Sequence, residues 1–451
     1  MDRPDSYYLI GICGIGMSSL AQLINSLGYK VRGSDVNPDS EVLAILESKG
    51  IDVYKGHQAE RLREGDCIIY STAVINNNPE YERAKNMGFP LIHRAEALKE
   101  FLKGKSIISV TGTHGKTTTT YLAAEVLKNT GFNIGMLLGG VSCDEGNNFI
   151  QNESAYAVEL DESDGSFIDF DSDIKIITSI DSDHLEFYQG DIAVLKTKFK
   201  NFLKKTGFNL ISYDDSVLKD AARESGCDYI SFGLHEDAAY RGEIIEMGAG
   251  GSRMKVFKNN VYITDVKVPL IGYKTAVNSL SVFALADILK VDLLKAADSF
   301  KNLKGVKRRY EVKFSSSGVC VMEDYAHHPR EIREVIATVK DYLKPQRLVV
   351  VFQPHRYTRT KYLWDEFKSC FKEADLLFLT DIYPAFEEKI PGIDSSVLAQ
   401  EISGVKTIYV SKDEIKIEVL KEIMRGDIIL MLGAGDINKI SQVLVEDLKN
   451  A

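Results

Sequence analysis

The sequence predicts an α/β protein built as three domains, each around a parallel sheet. Three observations carry that expectation. Short apolar, β-branched runs end repeatedly in glycine or acidic residues and alternate with longer helical stretches, the pattern of parallel strands joined by crossover helices. Two of those run ends carry glycine-rich turns, Gly11-Ile-Cys-Gly-Ile-Gly16 and Gly112-Thr-His-Gly115. At 451 residues the chain is also long enough for about three separate cores.

The first domain is expected over residues 1–103. Residues 7–12 read as a strand, the turn 11–16 follows, and residues 18–27 make a helix. A second strand over 29–32 is expected to stop at Gly33-Ser34-Asp35. This is a β-α-β unit with the spacing of a dinucleotide (Rossmann) fold, and Asp35 sits near the position that meets a ribose hydroxyl. Helix 41–49, strand 67–71, a loop over 72–79 and a helix to 86 extend the sheet, and residues 91–103 close the domain.

The central domain, residues 104–305, begins with an apolar strand over 106–110. It leads into Gly112-Thr-His-Gly-Lys-Thr117 and a helix over 117–129. Glycines let backbone N–H groups close on an anion, and the helix N-terminus adds positive potential, so this is a compact phosphate-binding loop. Lys116 would reach the terminal phosphates and Thr117 would put its hydroxyl on Mg²⁺. A parallel P-loop sheet continues with runs 155–160 and 174–180. Each ends in acid, Glu159-Leu-Asp-Glu-Ser-Asp164 and Asp181-Ser-Asp-His184, so Thr117, Glu159 and His184 offer hydroxyl, carboxylate and imidazole to a hard cation. Residues 229–268 predict a small antiparallel patch, and 276–289 a helix.

The third domain, residues 306–451, follows the basic stretch Lys304-Gly-Val-Lys-Arg-Arg309. Strands are expected at 318–322, 347–352, 376–379, 407–410 and 427–432, with helices between them, a second Rossmann-like sheet. Glu323-Asp-Tyr-Ala-His-His-Pro329 and Gln353-Pro-His-Arg-Tyr-Thr-Arg359 lie at strand ends. Their arginines form an anion-reading surface, since guanidinium forks suit carboxylates and phosphates.

A net charge of −10 gives no general attraction to nucleic acid or acidic membrane. The six cysteines are scattered with no Cys-x-x-Cys pair, which fits a reducing compartment and excludes a cysteine zinc site. No apolar run reaches membrane-spanning length, and the N-terminus lacks a signal-peptide pattern. The expectation is a cytoplasmic monomer or homodimer that binds small molecules, not nucleic acid or membrane.

Eight motifs together carry a family resemblance. Gly11-x-x-Gly-x-Gly-Met17, Gly112-Thr-His-Gly-Lys-Thr-Thr118, Asp161-Glu-Ser-Asp164 and Asp324-Tyr-Ala-His-His-Pro329 are four of them. His355-Arg-Tyr-Thr-Arg359, Tyr383-Pro-Ala385, Ile390-Pro-Gly392 and Gly433-Ala-Gly-Asp436 are the others. In order and spacing they resemble the Mur ligases over nearly the whole chain. The histidine in the phosphate loop and the first glycine turn are similar to members that add L-alanine to UDP-N-acetylmuramate, and to recycling members that add a tripeptide. The resemblance implies ATP as co-substrate, Mg²⁺, and an acyl phosphate on the lactyl carboxylate that an amine then displaces.

It also implies residue roles. Lys116, Glu159 and His184 would be catalytic, with Thr117, Glu159 and His184 on the metal. ATP would be held by Gly112, Thr113, His114, Gly115, Lys116, Thr117, Thr118, Asn278, Arg309 and Asp324. Gly14, Ile15, Gly16, Met17, Ser34, Asp35, Ser71 and Thr72 would meet the UDP-sugar. Tyr325, His327, Arg356 and Arg359 would frame the amino acid. The sequence departs from the family at Gly272-Tyr-Lys-Thr-Ala-Val-Asn278, where Lys274 and Thr275 stand for His and Asn. Ser179 stands for a usual Asn, and Cys13 for a glycine. Tripeptide recycling, or a nucleotide-binding paralogue with altered catalysis, are therefore the alternatives.

Overall fold

The computed structural model describes residues 4–36, 40–74, 78–163, 165–182, 185–188, 190–385 and 387–450. Among these described residues there are three sheets. The first comprises β1 (Ser6–Ile10), β2 (Val31–Asp35), β3 (Asp52–Lys55), β4 (Asp66–Tyr70) and β5 (Leu91–His93), all parallel in the order β3-β2-β1-β4-β5. Helices α1 (Ile15–Ser26), α2 (Ser40–Ser48), α3 (Pro79–Met87) and α4 (Arg94–Phe101) connect and cover it. Because β1 lies between β2 and β4, the turn after β1 sits where the strand order reverses, the crevice in which such sheets bind ligands.

The second sheet has ten strands: β6 (Ser106–Thr111), β7 (Gly135–Leu137), β8 (Phe149–Ile150), β9 (Ala155–Glu159), β10 (Ile174–Ile177), β11 (Phe208–Ser212), β12 (Ile230–Gly233), β13 (Tyr240–Gly248), β14 (Gly251–Lys258) and β15 (Val261–Val268). β6 is central, parallel to β10 on one side and β9 on the other. Helices α5 (Lys116–Asn129), α6 (Ile192–Leu203), α7 (Ser216–Ser225), α8 (Tyr273–Ile288) and α9 (Leu293–Ser299) accompany it. The expected antiparallel patch begins with a parallel step, β12 to β13. Beyond it, β13, β14 and β15 are neighbours joined by two-residue turns, a link only antiparallel strands permit. Asn259 and Asn260 both take positive φ, 48° and 63°, as a tight hairpin of this length requires.

The third sheet, β16 (Glu311–Ser316), β17 (Val319–Asp324), β18 (Arg347–Phe352), β19 (Leu376–Leu379), β20 (Lys406–Tyr409) and β21 (Asp427–Leu432), is ordered β16-β17-β21-β18-β19-β20. It is parallel except for β16. Helices α10 (Pro329–Thr338) and α11 (Tyr357–Tyr362) follow β17 and β18.

Two compact units result. One comprises Met1–Ile245, Arg253–Pro269 and Lys274–Lys304; the other comprises Glu246–Ser252, Leu270–Tyr273 and Gly305–Ala451. The first unit holds two sheets around one continuous core, in which Leu9, Ile24 and Leu98 join Ile107, Leu137 and Phe199. Polar groups stitch it further. Gln22 Nε2 donates to Asn148 Oδ1 at 2.8 Å, and Asn148 Nδ2 donates to the Ile15 carbonyl at 2.8 Å.

Some elements differ from expectation. β2 does not stop at Arg32 but runs through Gly33, Ser34 and Asp35. These polar residues are buried because they are partnered: Ser34 Oγ donates to Glu80 Oε2 at 2.5 Å, and Asp35 Oδ2 accepts Cys13 N–H at 3.1 Å. α8 starts at Tyr273, three residues early, so Lys274 and Thr275 belong to its first turn. The sequence reading leaves out β3, β5, β7, β8, β11 and β16. All six cysteines are free, and among the described residues no helix is long and apolar enough to cross a membrane.

Candidate active site

The residues assigned to phosphate lie on the turn between β6 and α5 and in the first turn of α5. Gly112 (φ 127°) and Gly115 (φ 80°) take backbone conformations that other residues rarely adopt. A Cβ on Gly112 would meet Thr178 Oγ1 and come 2.8 Å from the backbone N and O of Ser179; one on Gly115 would strike Asn278 Nδ2. The second contact brings Asn278, from α8, to the loop. No side chain caps the start of α5, so its first N–H groups face outward for an anion.

The loop is held from the end of β10. Thr113 N donates to the Ser179 carbonyl and His114 N to Ser179 Oγ, both at 3.0 Å; Thr178 Oγ1 donates to the His114 carbonyl at 2.6 Å. Ser179, which stands where the family resemblance implies an Asn, is therefore a brace. The His114 ring turns to Asp181 Oδ2, 3.1 Å from Nε2.

Lys116 Nζ donates to the Gly112 carbonyl at 2.9 Å and lies 2.8 Å from Glu162 Oε2. Burial alone would lower its pKa, but the carboxylates of Glu162, Asp161 and Glu159 reverse that and hold it above the usual lysine value. Glu162 is pushed up to about 7, chiefly by burial, with Lys116 opposing. Thr117 Oγ1 donates to Glu159 Oε1 at 2.9 Å, and Gly139 N donates to Oε2 at 2.7 Å. A hydroxyl beside a carboxylate is an oxygen-only donor set that suits a hard divalent cation. His184, the third expected ligand, lies outside the described residues. Among the described residues no cluster of three His, Cys, Asp or Glu side chains would hold a metal ion.

At the first sheet's crevice, Gly14 caps α1, with Ile15 and Gly16 half-buried and Met17 buried beneath. Ser71 and Thr72 follow β4, the strand next to β1, so they share that edge. Ser34 faces elsewhere, into a buried network: besides Glu80 it lies 2.8 Å from His57 Nδ1, while Tyr8 OH donates to Glu80 Oε1 at 2.7 Å. Asp35 braces the glycine turn through Cys13.

In the second unit, the ends of β17, β18 and β21 converge. The Asp324 carboxylate accepts Tyr310 N–H and Ala326 N–H, each at 2.9 Å, and burial raises its pKa against the pull of Arg309. The guanidinium groups of Arg308 and Arg309 stand 5.0 and 5.4 Å from the Tyr325 ring. His327 lies edge-on to Tyr325, and His355 stacks on Tyr383 at 5.5 Å and 12°. Arg356 has φ 72° and donates its N–H to the Tyr383 carbonyl, so the chain turns sharply where Arg359 must fold back. Arg359 Nη1 lies 3.1 Å from His355 Nδ1. A guanidinium cannot accept, so that nitrogen is unprotonated and the ring neutral. Burial first, then His327, Arg359, Arg356 and Arg308, drive the His355 pKa down to about 2. The outcome is a cationic rim around an uncharged imidazole, suited to a small carboxylate.

Sequence reasoning missed Glu162, His355 and the Glu80 network as individual residues, and it marked Ser179 only as a departure from the family, not as a brace of the loop. Glu162 and His355 lay inside motifs already noticed; Glu80 carried no signal at all.

Family models match the chain in three consecutive segments: the Mur ligase family catalytic domain at residues 6–106, the Mur ligase middle domain at 110–286, and the Mur ligase glutamate ligase domain at 308–435. A UDP-N-acetylmuramate–L-alanine ligase of Geobacter sulfurreducens is 37% identical over 457 residues, covering 100% of this chain and 99% of the relative. One from Aquifex aeolicus is 35% identical, covering 99% and 98%. The crystal structure of a UDP-N-acetylmuramate–alanine ligase from Thermotoga maritima superposes with a TM-score of 0.84 at 29% identity, over 99% of each chain.

Proposed function

This chain belongs to the Mur ligase family of ATP-dependent, amide-forming ligases, and from that premise we propose that it joins L-alanine to the lactyl carboxylate of UDP-N-acetylmuramate. The product is a peptidoglycan precursor. The observation that carries this reading is full-length similarity to ligases of that activity, together with Lys116, Thr117 and Glu159 meeting at one glycine loop.

The γ-phosphoryl group of ATP passes to the lactyl carboxylate, giving an acyl phosphate and ADP. The amine of L-alanine attacks the carbonyl, inorganic phosphate leaves, the nitrogen loses a proton, and the amide remains. Both early partners are anions, so the barrier is charge repulsion. The N–H groups of residues 112–115 cradle the phosphates and Lys116 neutralises the charge on the transferring group. Thr117 and Glu159 would hold Mg²⁺, with His184 as the third ligand that the resemblance implies, and the ion would supply further positive charge there. Asn278 lies against the nucleotide loop, and Arg309 with Asp324 keep the nucleotide role that the family resemblance gives them. Arg356 and Arg359 take the carboxylate of alanine, and Tyr325 and His327 shape its pocket. Residues 14–17, with Ser71 and Thr72, receive the uridine diphosphate. The domains divide at 103/104 and 305/306, and the reaction runs in the cytoplasm, where its nucleotide substrates are.

The test is phosphate release with Mg²⁺, ATP and UDP-N-acetylmuramate, supplied with L-alanine, the tripeptide or no amine. Release that depends on L-alanine is the expected result. Dependence on the tripeptide alone would make the chain a recycling ligase, and no ATP consumption with any amine would sink the reading.

Glu162 adds a pH signature. Its carboxylate competes with phosphate for Lys116, and protonation near pH 7 removes that competitor. The protonated form binds the anion better, so ADP affinity is expected to rise as pH falls from about 8 to 6, by up to about tenfold in all, most of it above pH 7. Glu162→Gln should bind ADP tightly throughout and abolish this component of the dependence. An unchanged slope in the variant would refute it.

A further inference from the structure

Arg94 opens α4, on the first sheet, yet its side chain reaches the second. Its guanidinium lies against the turn that starts α1: a Cβ on Gly16 would come 3.1 Å from Nη1 and 3.8 Å from Cδ, a tighter approach than side chains usually make. The same side chain lines a small cavity with Glu159, Asp161 and Ser166. Among the described residues the guanidinium forms no ion pair. A half-buried cation thus stands between the glycine turn and the carboxylate beside Thr117.

We infer that Arg94 is a substrate-binding residue that grips the anionic oxygens of the UDP-linked acid on its path to the phosphate loop. The inference rests on the reading above, in which the turn at 14–17 and the Lys116–Glu159 site serve one reaction. The chemistry requires such a group. An acid must come up to a triphosphate, and a guanidinium fork offsets the approaching charge without competing for ATP's own ligands. The oxygens it takes belong either to the lactyl carboxylate or to the pyrophosphate of the same substrate.

The experiment compares wild type with Arg94→Ala, Arg94→Gln and Arg94→Lys, each checked by its thermal midpoint. Arg94→Ala is expected to raise KM for UDP-N-acetylmuramate roughly 10- to 100-fold while KM for ATP stays within about twofold. Arg94→Lys should recover part of the loss. If Arg94→Ala fails to fold, Arg94→Gln, which keeps the length of the side chain, carries the comparison. Calorimetry with UDP and with UDP-N-acetylmuramate separates the two sources. Weakening of the acid alone assigns the carboxylate, and weakening of both assigns the pyrophosphate; either supports the inference. Unchanged affinity for both, or a rise in KM for ATP in step with that for the acid, overturns it. A wild type that binds the muramyl nucleotide without turning it over would fail the functional reading alone, because calorimetry still decides Arg94. One that binds neither nucleotide overturns both.

Discussion

Replacing Lys116 by methionine is expected to lower turnover by roughly three orders of magnitude while leaving the fold intact. In the proposed reaction Nζ is the positive group that meets the transferring phosphoryl, and its charge matters more in the transition state than in the bound substrate. The loss should therefore fall on kcat more than on the KM for ATP. The fold survives because of its partner. Glu162 would otherwise be a buried charge without a counter-ion, a costly arrangement, but its pKa already stands near 7 and rises further when Lys116 is gone. It simply takes up a proton. Methionine keeps the apolar stem that packs at the start of α5. Phosphate-release kinetics and a thermal melt check both halves, and near-wild-type turnover would count heavily against the phosphate site described.

Gly112→Ala should be nearly as damaging, by a different route. Position 112 needs φ 127°, and the new methyl would run into Thr178 and the backbone of Ser179, neither of which has room to yield. Thr178 and Ser179 are the residues that hold the loop, so relief of the clash must open the cradle itself. The expected cost is about 3 kcal/mol or more, read as a lower thermal midpoint, with ATP affinity reduced by at least about a hundredfold. Gly226→Ala is the control. It also has positive φ, 68°, but open space around it, and should cost only about 1 kcal/mol with normal activity. If the two variants behaved alike, backbone strain alone would explain the first.

What could be read from the chain depended on how local the cause was. The phosphate loop was legible because glycine spacing, a preceding strand and a following helix all lie within residues 106–129. Strands buried on both faces, such as 347–352 and 427–432, announced themselves as apolar runs. β2 was cut short because Ser34 and Asp35 look like turn residues; their burial is tolerable because Ser34 meets Glu80, 46 positions away, and Asp35 takes the Cys13 N–H. The two-residue β8 and three-residue β7 are too short to show periodicity. Lys274 and Thr275 hid the first turn of α8 for a similar reason, since propensity there is weak and tertiary packing decides. The motifs stand out in the sequence, but the residues that set their charge do not. The pairing of Glu162 with Lys116, and of His355 with Arg359, depends on side-chain approach that no spacing rule encodes.

The continuous core beneath the first two sheets has a consequence for how the reaction begins. With Asn148 bonded to the backbone at Ile15 and no seam in the packing below, the glycine turn of one sheet and the phosphate loop of the other keep a set separation. On the proposed assignment of those two turns to the muramyl nucleotide and to ATP, the entropy of bringing acid and triphosphate together is largely spent when the chain folds, not at each encounter.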